Sequence, residues 1–414
     1  MKILHTSDWH LGQEFHDFAR DHEHSAFLAW LEDRLEEHAV DALLVTGDIF
    51  DSQNPPITAQ RQLYDFVART ARRMPALDVV LVGGNHDSAG RLEAPRPLLE
   101  SFGVRVVGSL PRGSDGRINP DRLLFPLTDS NGEAAMLCAA VPFLRLPDLP
   151  PAPQDVADGL IWGVRRVYEE VLALAAERLT GGQHLVVTGH CYMTATEISD
   201  LSERRILGGN QHALPADIFP DDIAYVALGH LHKPQMVGGR SHVRYAGSPL
   251  PLSVAEKDYK HQVVLVDLGS GGAEITPLHV PRSVPVLRVP ASGAAPVDTV
   301  LEQLRALDVG DDRGWDWQPY LHVEVTLDRP APSLRRDIAE ALGGKGVRLA
   351  KLAVQAASAT SPVADLIQPD LNSLQPEDVF SRRWRRDYDG DPPEDVLGCF
   401  RELLEGLETG EAAP

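Results

Sequence analysis

Residues 79–88 read VVLVGGNHDS. Val79, Val80, Leu81 and Val82 favour extended backbone, and the run stops at Gly83-Gly84. A short apolar run closed by glycine reads as a strand buried on both faces. It delivers an amide, an imidazole and a carboxylate (Asn85, His86 and Asp87) side by side at its carboxyl end. Alone, such a segment is ordinary turn material. It gains meaning because other strands end in the same way. The strand opening at Lys2 runs into Asp8-Trp9-His10, and residues 41–46 run into Gly47-Asp48-Ile49-Phe50-Asp51. Residues 184–188 end in Gly189-His190, and residues 222–228 in Gly229-His230-Leu231-His232. In α/β folds, ligands gather beyond the carboxyl ends of strands, where residues remote in sequence converge.

The residue types at these ends suit two metal ions. Asp8 and His10 stand two apart on an extended segment and can point the same way, and His230 and His232 repeat that spacing. Asp48 offers a carboxylate able to bridge two ions, Asn85 a neutral carbonyl oxygen, and His190 a further imidazole. This mixed oxygen and nitrogen set fits Mn²⁺, Fe or Zn²⁺ better than an all-oxygen Mg²⁺ site. Two such ions can activate a water and stabilise both oxygens of an in-line displacement at phosphorus. His86 is not needed as a ligand, and a histidine there can protonate a leaving oxygen. Asp87 is the neighbouring carboxylate expected to orient it. Asp51 stands behind the ligands, against substrate, or simply in a turn. The other histidines read as structural, with His212 in GGNQHALPAD a candidate substrate contact.

The chain has 414 residues, enough for two or three domains. A net charge of −21 opposes unaided, non-specific binding to nucleic acid. Bound divalent cations and local arginines can reverse the sign at one face. The opening MKILHTSDWH lacks the apolar core of a signal peptide, and no apolar run reaches the roughly 18 residues of a membrane span. The expectation is a cytoplasmic protein with no membrane contact. Cys138, Cys191 and Cys399 lie far apart and form no disulfide framework.

Residues 1–280 alternate strands with helices expected over 24–38, 57–73, 91–102 and 162–179. Residues 284–355 form a small α+β unit of three strands and two helices. A linker rich in Ala, Ser and Pro over 356–369 leads to a helical tail within 370–410. Its first helix opens at Pro376 with Glu377 and Asp378 in the first turn. Its second starts near Pro393 and carries Val396, Phe400, Leu403, Leu404 and Leu407 on one face.

The motifs TSDWHLG, GDIFD followed by NPP, GGNHDS, and ALGHLH followed by RYAGSPLPLS resemble the calcineurin-like metallophosphoesterase superfamily. Together they resemble its SbcD family, the nuclease subunits of bacterial SbcCD complexes, over nearly the whole chain. The resemblance implies an α/β fold, a four-layer αββα sandwich rather than a single sheet. It places Asp8, His10, Asp48 and His232 on one ion and Asp48, Asn85, His190 and His230 on the other. Mn²⁺ is the implied metal, and His86 the acid acting on the leaving 3′ oxygen. Archaeal and eukaryotic relatives tend to carry His where Asp51 stands, so Asp51 receives no proton transfer. The implied partners are DNA, a second copy of this chain within a heterotetramer, and SbcC, an ATPase with a long coiled coil. The implied activities are ATP-dependent 3′→5′ exonuclease on duplex ends and endonuclease on single strands and hairpins. Residues 284–355 would cap DNA and the tail would dock on the coiled coil. A phosphodiesterase or phosphatase acting on a small molecule or phosphoprotein would share the metal site, but would need neither second domain nor tail.

Overall fold

The computed structural model describes residues 1–194, 196–197, 213–269, 272–310, 314–329, 331–356, 376–388, 390–393, 396–397 and 400. The first domain runs β1 (Lys2–Thr6), α1 (Asp21–Glu37), β2 (Ala42–Thr46), α2 (Ile57–Arg73), β3 (Asp78–Val82) and β4 (Val104–Val107). It continues through β5 (Leu124–Thr128), β6 (Ala134–Ala139), α3 (Gly159–Arg178), β7 (His184–His190) and β8 (Tyr225–Gly229). It closes with β9 (Gln235–Val237), β10 (Arg240–Tyr245), β11 (Gln262–Gly269) and β12 (Gly272–His279). Two six-stranded sheets result, in the orders β12-β11-β1-β2-β3-β4 and β9-β10-β8-β7-β6-β5.

Each central strand has two apolar faces. Ile3, Ala42, Leu44, Val80 and Val82 share a core with the second sheet. Their neighbours Leu4, Leu43, Val45, Val79 and Leu81 pack under Phe27, Leu28, Leu31 and Leu35 of α1 and Leu63, Phe66 and Val67 of α2. This double burial is why the strands read as unbroken apolar runs. On the far side of the second sheet, α3 contributes Val164, Val167, Tyr168 and Val171. The layers are therefore αββα, and the parallel strands β1, β2, β3, β7 and β8 bring their carboxyl ends together.

The second domain runs β13 (Val286–Val289), β14 (Ala295–Pro296), α4 (Val297–Ala306), β15 (Tyr320–Leu327), α5 (Leu334–Leu342) and β16 (Arg348–Ala356). All strand pairings with β15 are parallel. Leu321, Val323 and Val325 pack with Val300 and Leu304 of α4 and Ile338 of α5. Tyr320 joins a separate cluster with Phe15 of the first domain, its ring 4.6 Å from that of Phe15. In the tail, α6 (Pro376–Asp387) opens at the expected proline, and Phe380 stacks on Phe400 at 4.1 Å.

Some expectations change. The helix expected over 91–102 is three short pieces, Ala89–Glu93, Arg96–Leu99 and Glu100–Phe102. Pro97 lacks an N–H and sits in the first turn of the second piece, a place where proline starts a helix rather than continues one. Strands β5, β9 and β12 are additional to the sequence reading. His212, Leu403, Leu404, Leu407 and the segment 357–375 lie outside the described residues. No helix among the described residues is long and apolar enough to cross a membrane.

His5 joins the two sheets. Its Nδ1 lies 2.9 Å from the Tyr225 hydroxyl on β8 and its Nε2 3.0 Å from Thr46 Oγ1 on β2. Burial, with help from Arg244, brings its pKa down to about 3. Burial and Arg20 bring His24 of α1 to about 3 as well. An unfolded histidine titrates near 6.5. Between pH 6.5 and 3 the unfolded chain therefore binds more protons, so the stability present above pH 6.5 is lost as pH falls. The loss is up to about 1.4 kcal/mol per pH unit for each group. Urea melts in chelator at about pH 7 and pH 4.5 should show wild type losing more stability than His24→Leu. Equal losses would remove His24 from the account.

Candidate metal centre

The loop after β1 shows how the ligands are aimed. Trp9 is fully buried and turns into the helical side, edge-on to Phe27 at 5.8 Å and Phe66 at 5.5 Å. Its Nε1 donates to Thr6 Oγ1 at 2.9 Å. Asp8 and His10 lie beyond the end of β1 in backbone that is not extended, unlike the segment that the spacing assumed, and their side chains converge with His232. Asp8, His10, Asp48 and His230 all hold positive φ, at 53°, 46°, 48° and 101°. Non-glycine residues there cost on the order of 1 kcal/mol each. The surrounding packing overcomes that strain to bring the side chains inward.

The strand ends also pass unusually close. A Cβ on Gly47, whose φ is +94°, would lie 2.0 Å from His190 Nδ1. A Cβ on Gly229 would lie 1.8 Å from the Thr46 carbonyl oxygen. Only glycine lets β2 approach β7 and β8 this closely.

All seven expected ligands are brought together. The potential ligand atoms of Asp8, His10 and His232 lie within 4.8 Å of one another, as do those of Asp48, His190 and His230. Asn85 Oδ1 sits 2.9 Å from His190 Nε2 and 3.2 Å from His230 Nδ1. Asp48 Oδ2 stands between the halves, 3.6 Å from His10 Nε2 and 3.4 Å from His190 Nε2. Metal bonds of roughly 2.0–2.2 Å put two ligands of one ion about 3 Å apart or more.

Three imidazoles have their Nδ1 engaged from behind. His10 Nδ1 meets Asp51 Oδ1 at 3.0 Å, His190 Nδ1 donates to the Thr46 carbonyl at 2.9 Å, and His232 Nδ1 meets Glu256 Oε1 at 2.9 Å. Such bonds fix the tautomer and orient Nε2 toward a metal. His10 Nε2 is buried with no hydrogen-bond partner. An orphaned acceptor beside buried carboxylates fits a cation.

The charges agree. Burial raises the Asp8 carboxyl above its ordinary range. Burial opposes ionisation of Asp48 too, but His190 and His86 outweigh it and hold that carboxyl well below its ordinary range. His190 is pulled down by burial and up by Asp48, and settles at about 9. Burial and the nearby His190 keep His230 well below the usual imidazole range. A divalent ion bound there would need His190 neutral, so binding it would compete with a proton at this site.

His86 lies against the His10 ring at 4.8 Å between centroids, and its Nδ1 donates to the Asp51 carbonyl at 2.7 Å. Asp87 has a different task from the orienting one expected of it. Its carboxylate accepts from the backbone N–H groups of Ile49 at 3.1 Å, Phe50 at 2.9 Å and Gly84 at 2.9 Å, tying two ligand loops together. Two further residues escaped the sequence reading. Arg145 donates to the carbonyls of Gly84 and Asp87 at 3.4 and 2.9 Å, bracketing Asn85-His86. Glu256 is fully buried behind His232. It lies in a single turn, Val254–Glu256, where no periodicity marks it.

The family model described as calcineurin-like phosphoesterase matches residues 1–234. The one described as type 5 capsule protein repressor C-terminal domain matches residues 282–388. The fold and centre are those of a calcineurin-like phosphoesterase. The SbcD subunit of the SbcCD nuclease from Rhodobacter capsulatus is 42% identical over 388 residues, 92% of this chain and 94% of that protein. Its Escherichia coli counterpart is 34% identical, covering 92% of each chain. DNA double-strand break repair protein Mre11 of Aeropyrum pernix is 28% identical over 83% of this chain and 78% of its own. Within the phosphoesterases, the chain belongs to the SbcD family.

Asp87→Ala strands three buried N–H groups at about 1–3 kcal/mol apiece. Thermal melts should show a loss of at least about 3 kcal/mol, and metal titration a weaker site. Stability within about 0.5 kcal/mol of wild type would show that Asp87 does not tie these loops.

Proposed function

We infer that this chain is a metal-dependent DNA nuclease, the SbcD-type partner of an SbcC-type ATPase. The observation that carries the reading is the ligand set in two halves sharing Asp48, with His86 alongside. Asp8, His10, Asp48 and His232 would hold one ion, and Asp48, Asn85, His190 and His230 the other; the mixed set suits Mn²⁺, Fe or Zn²⁺, and the resemblance to the SbcD family implies Mn²⁺. When bound, the pair supplies Lewis acidity and a water of lowered pKa. The chain's own residues do the rest. The backbone carbonyl of Asp51 holds His86 by Nδ1, which leaves Nε2 as the atom that hands a proton to the departing 3′ oxygen. The Asp51 carboxylate steadies His10 and takes no part in proton transfer. Burial of the ligands keeps bulk water from competing for them.

The names of the relatives support a phosphodiester of DNA as substrate, since those proteins are described as nucleases or a double-strand-break repair protein. With a net charge of −21 the chain needs help to approach DNA. A basic partner surface provides it. Residues 284–355 cap the DNA, and two copies of the chain assemble with SbcC. The tail is the docking element. Phe380 and Phe400 stack, while Val379 and Tyr388 stay largely exposed.

With Mn²⁺, wild type should cleave linear duplex and hairpin DNA in preference to p-nitrophenyl esters. Asp48→Ala should lower metal content at both sites and abolish cleavage, whereas His190→Ala should mainly empty one. His86→Ala should keep metal and DNA binding and turn over about 10²- to 10⁴-fold more slowly. Two full-occupancy ions in Asp48→Ala would refute the bridge, and near-normal cleavage by His86→Ala would end its role as acid. Truncation after Ser361 should spare the Mn²⁺-dependent nuclease and abolish co-purification with SbcC. Unchanged SbcC affinity, or a large drop in melting temperature, would return the tail to this chain's own core.

A further inference from the structure

Behind His232 lies a run of buried polar groups that the chemistry above does not use. His232 Nδ1 donates to Glu256 Oε1 at 2.9 Å, and the other oxygen, Oε2, accepts from the Leu252 N–H at 2.8 Å. The Leu252 carbonyl accepts from Gln13 Nε2 at 3.3 Å, and Gln13 Oε1 accepts from Arg20 Nη1 at 2.7 Å. Arg20 also donates to the Pro251 carbonyl at 2.8 Å and grips Glu23 with Nε at 2.8 Å and Nη2 at 3.1 Å. Glu23 Oε1 accepts the hydroxyl of Tyr320 at 2.9 Å, and Tyr320 belongs to the second domain.

These groups are costly where they stand. Arg20 and Glu23 are each 1% exposed and Glu256 is 0% exposed. Burying charges this deeply carries a desolvation penalty of several kcal/mol per ion, and apolar residues of similar volume often serve stability as well or better. What the ionic version adds is a fixed geometry. The ends of the run are also informative. At one end is an imidazole whose tautomer and direction depend on its acceptor. At the other is the strand Tyr320–Leu327, which pairs with every other strand of the second domain's sheet. The same loop touches the first ligand pair, because Gln13 N donates to the His10 carbonyl at 2.9 Å.

We propose that Glu256 is a positioning residue for His232, and that docking of the second domain sets this position through Tyr320, Glu23, Arg20, Gln13 and Leu252. The proposal rests on the reading of His232 as a metal ligand. A second domain held in register keeps Arg20 against both Gln13 and the Pro251 carbonyl. The 251–256 turn is then held still, and the Glu256 carboxylate keeps His232 aimed. Loosening any link widens the angular spread of that imidazole and weakens the ion it shares with Asp8 and His10. The ion on the Asn85, His190 and His230 side is untouched.

Mn²⁺ titration of the full chain, followed calorimetrically and by electron paramagnetic resonance, tests this. Glu256→Gln is isosteric but cannot accept from both the imidazole and the Leu252 N–H. It should weaken one ion about 10- to 100-fold, the usual effect of removing a carboxylate behind a ligating histidine. Tyr320→Phe keeps the ring on Phe15 and loses only the hydroxyl. It should weaken the same ion about 2- to 10-fold, a fraction of what one hydrogen bond to a charged carboxylate is worth. Glu23→Gln, which alters that link from the first domain, should act on the same ion. The Tyr320→Phe, Glu256→Gln double variant should weaken it by less than the product of the single effects. His232→Ala is the reference and should lose that ion. If it keeps both ions, the ligand assignment falls and the proposal with it. If His232→Ala loses an ion while Glu256→Gln binds as wild type, the positioning role is wrong. If Glu256→Gln weakens binding but Tyr320→Phe and Glu23→Gln do not, the second domain does not reach the centre.

Discussion

The constraint on which the centre depends is a contact between backbones. Thr46 and Gly47 end a strand of one sheet, and His190 and Gly229 end strands of the other. A hydrogen bond from His190 Nδ1 to the Thr46 carbonyl, 2.9 Å long, joins them. No side chain fits at Gly47 or Gly229 without colliding with the opposite sheet. The proposed ligands stand on separate sheets and could share ions only if the sheets meet at this spacing. Everything else serves that approach: the apolar layer between the sheets, the inward turn of Trp9, and the left-handed backbone at Asp8, His10, Asp48 and His230.

Much of this was legible in the sequence because the candidate ligands follow strands buried on both faces, which leave a plain apolar signature. The runs ending at Thr46, Val82 and Gly229 could be read directly, and so could the spacing of Asp8 with His10 and of His230 with His232. Periodicity could not show that the strands divide between two sheets, since a strand in either core looks alike. That came from the family resemblance. Strands at or near the sheet edges were harder. Leu124–Thr128 contains Pro126, and Gly272–His279 contains Pro277 and alternates exposed with half-buried positions, so neither announces a core. Nor does local sequence mark a carboxylate that acts through tertiary contact. Asp87 sits beside His86 yet serves the backbones of Ile49, Phe50 and Gly84, while Glu256 serves a histidine 24 residues away.

The segment between His10 and the first helix carries two tasks within ten residues. It starts as a ligand loop and ends at Arg20. Between them is a tight hairpin pairing Glu14–Phe15 with Phe18–Ala19. Its tip residues, His16 and Asp17, both hold positive φ, at 49° and 69°, as a two-residue turn of this hand requires. The hairpin lifts Phe15 and Phe18 against Tyr320, and the Arg348 guanidinium lies 4.0 Å from the Tyr320 ring centroid. Aromatic packing supplies the adhesion at this boundary and the buried ion pair supplies its register.

Strand pairing in the first sheet also bears on how the chain is made. The first strand, Lys2–Thr6, lies between Ala42–Thr46, which follows it closely, and Gln262–Gly269, which is antiparallel to it. A ribosome adding about 5–20 residues per second takes on the order of tens of seconds to reach the later partner. Through that interval one edge of an apolar strand, with its N–H and C=O groups, is unpaired and open to any other extended chain. The candidate metal centre waits as well, because the residues proposed to form it run from Asp8 to His232. The first sheet is therefore complete only when the 262–269 strand has emerged to pair with that edge.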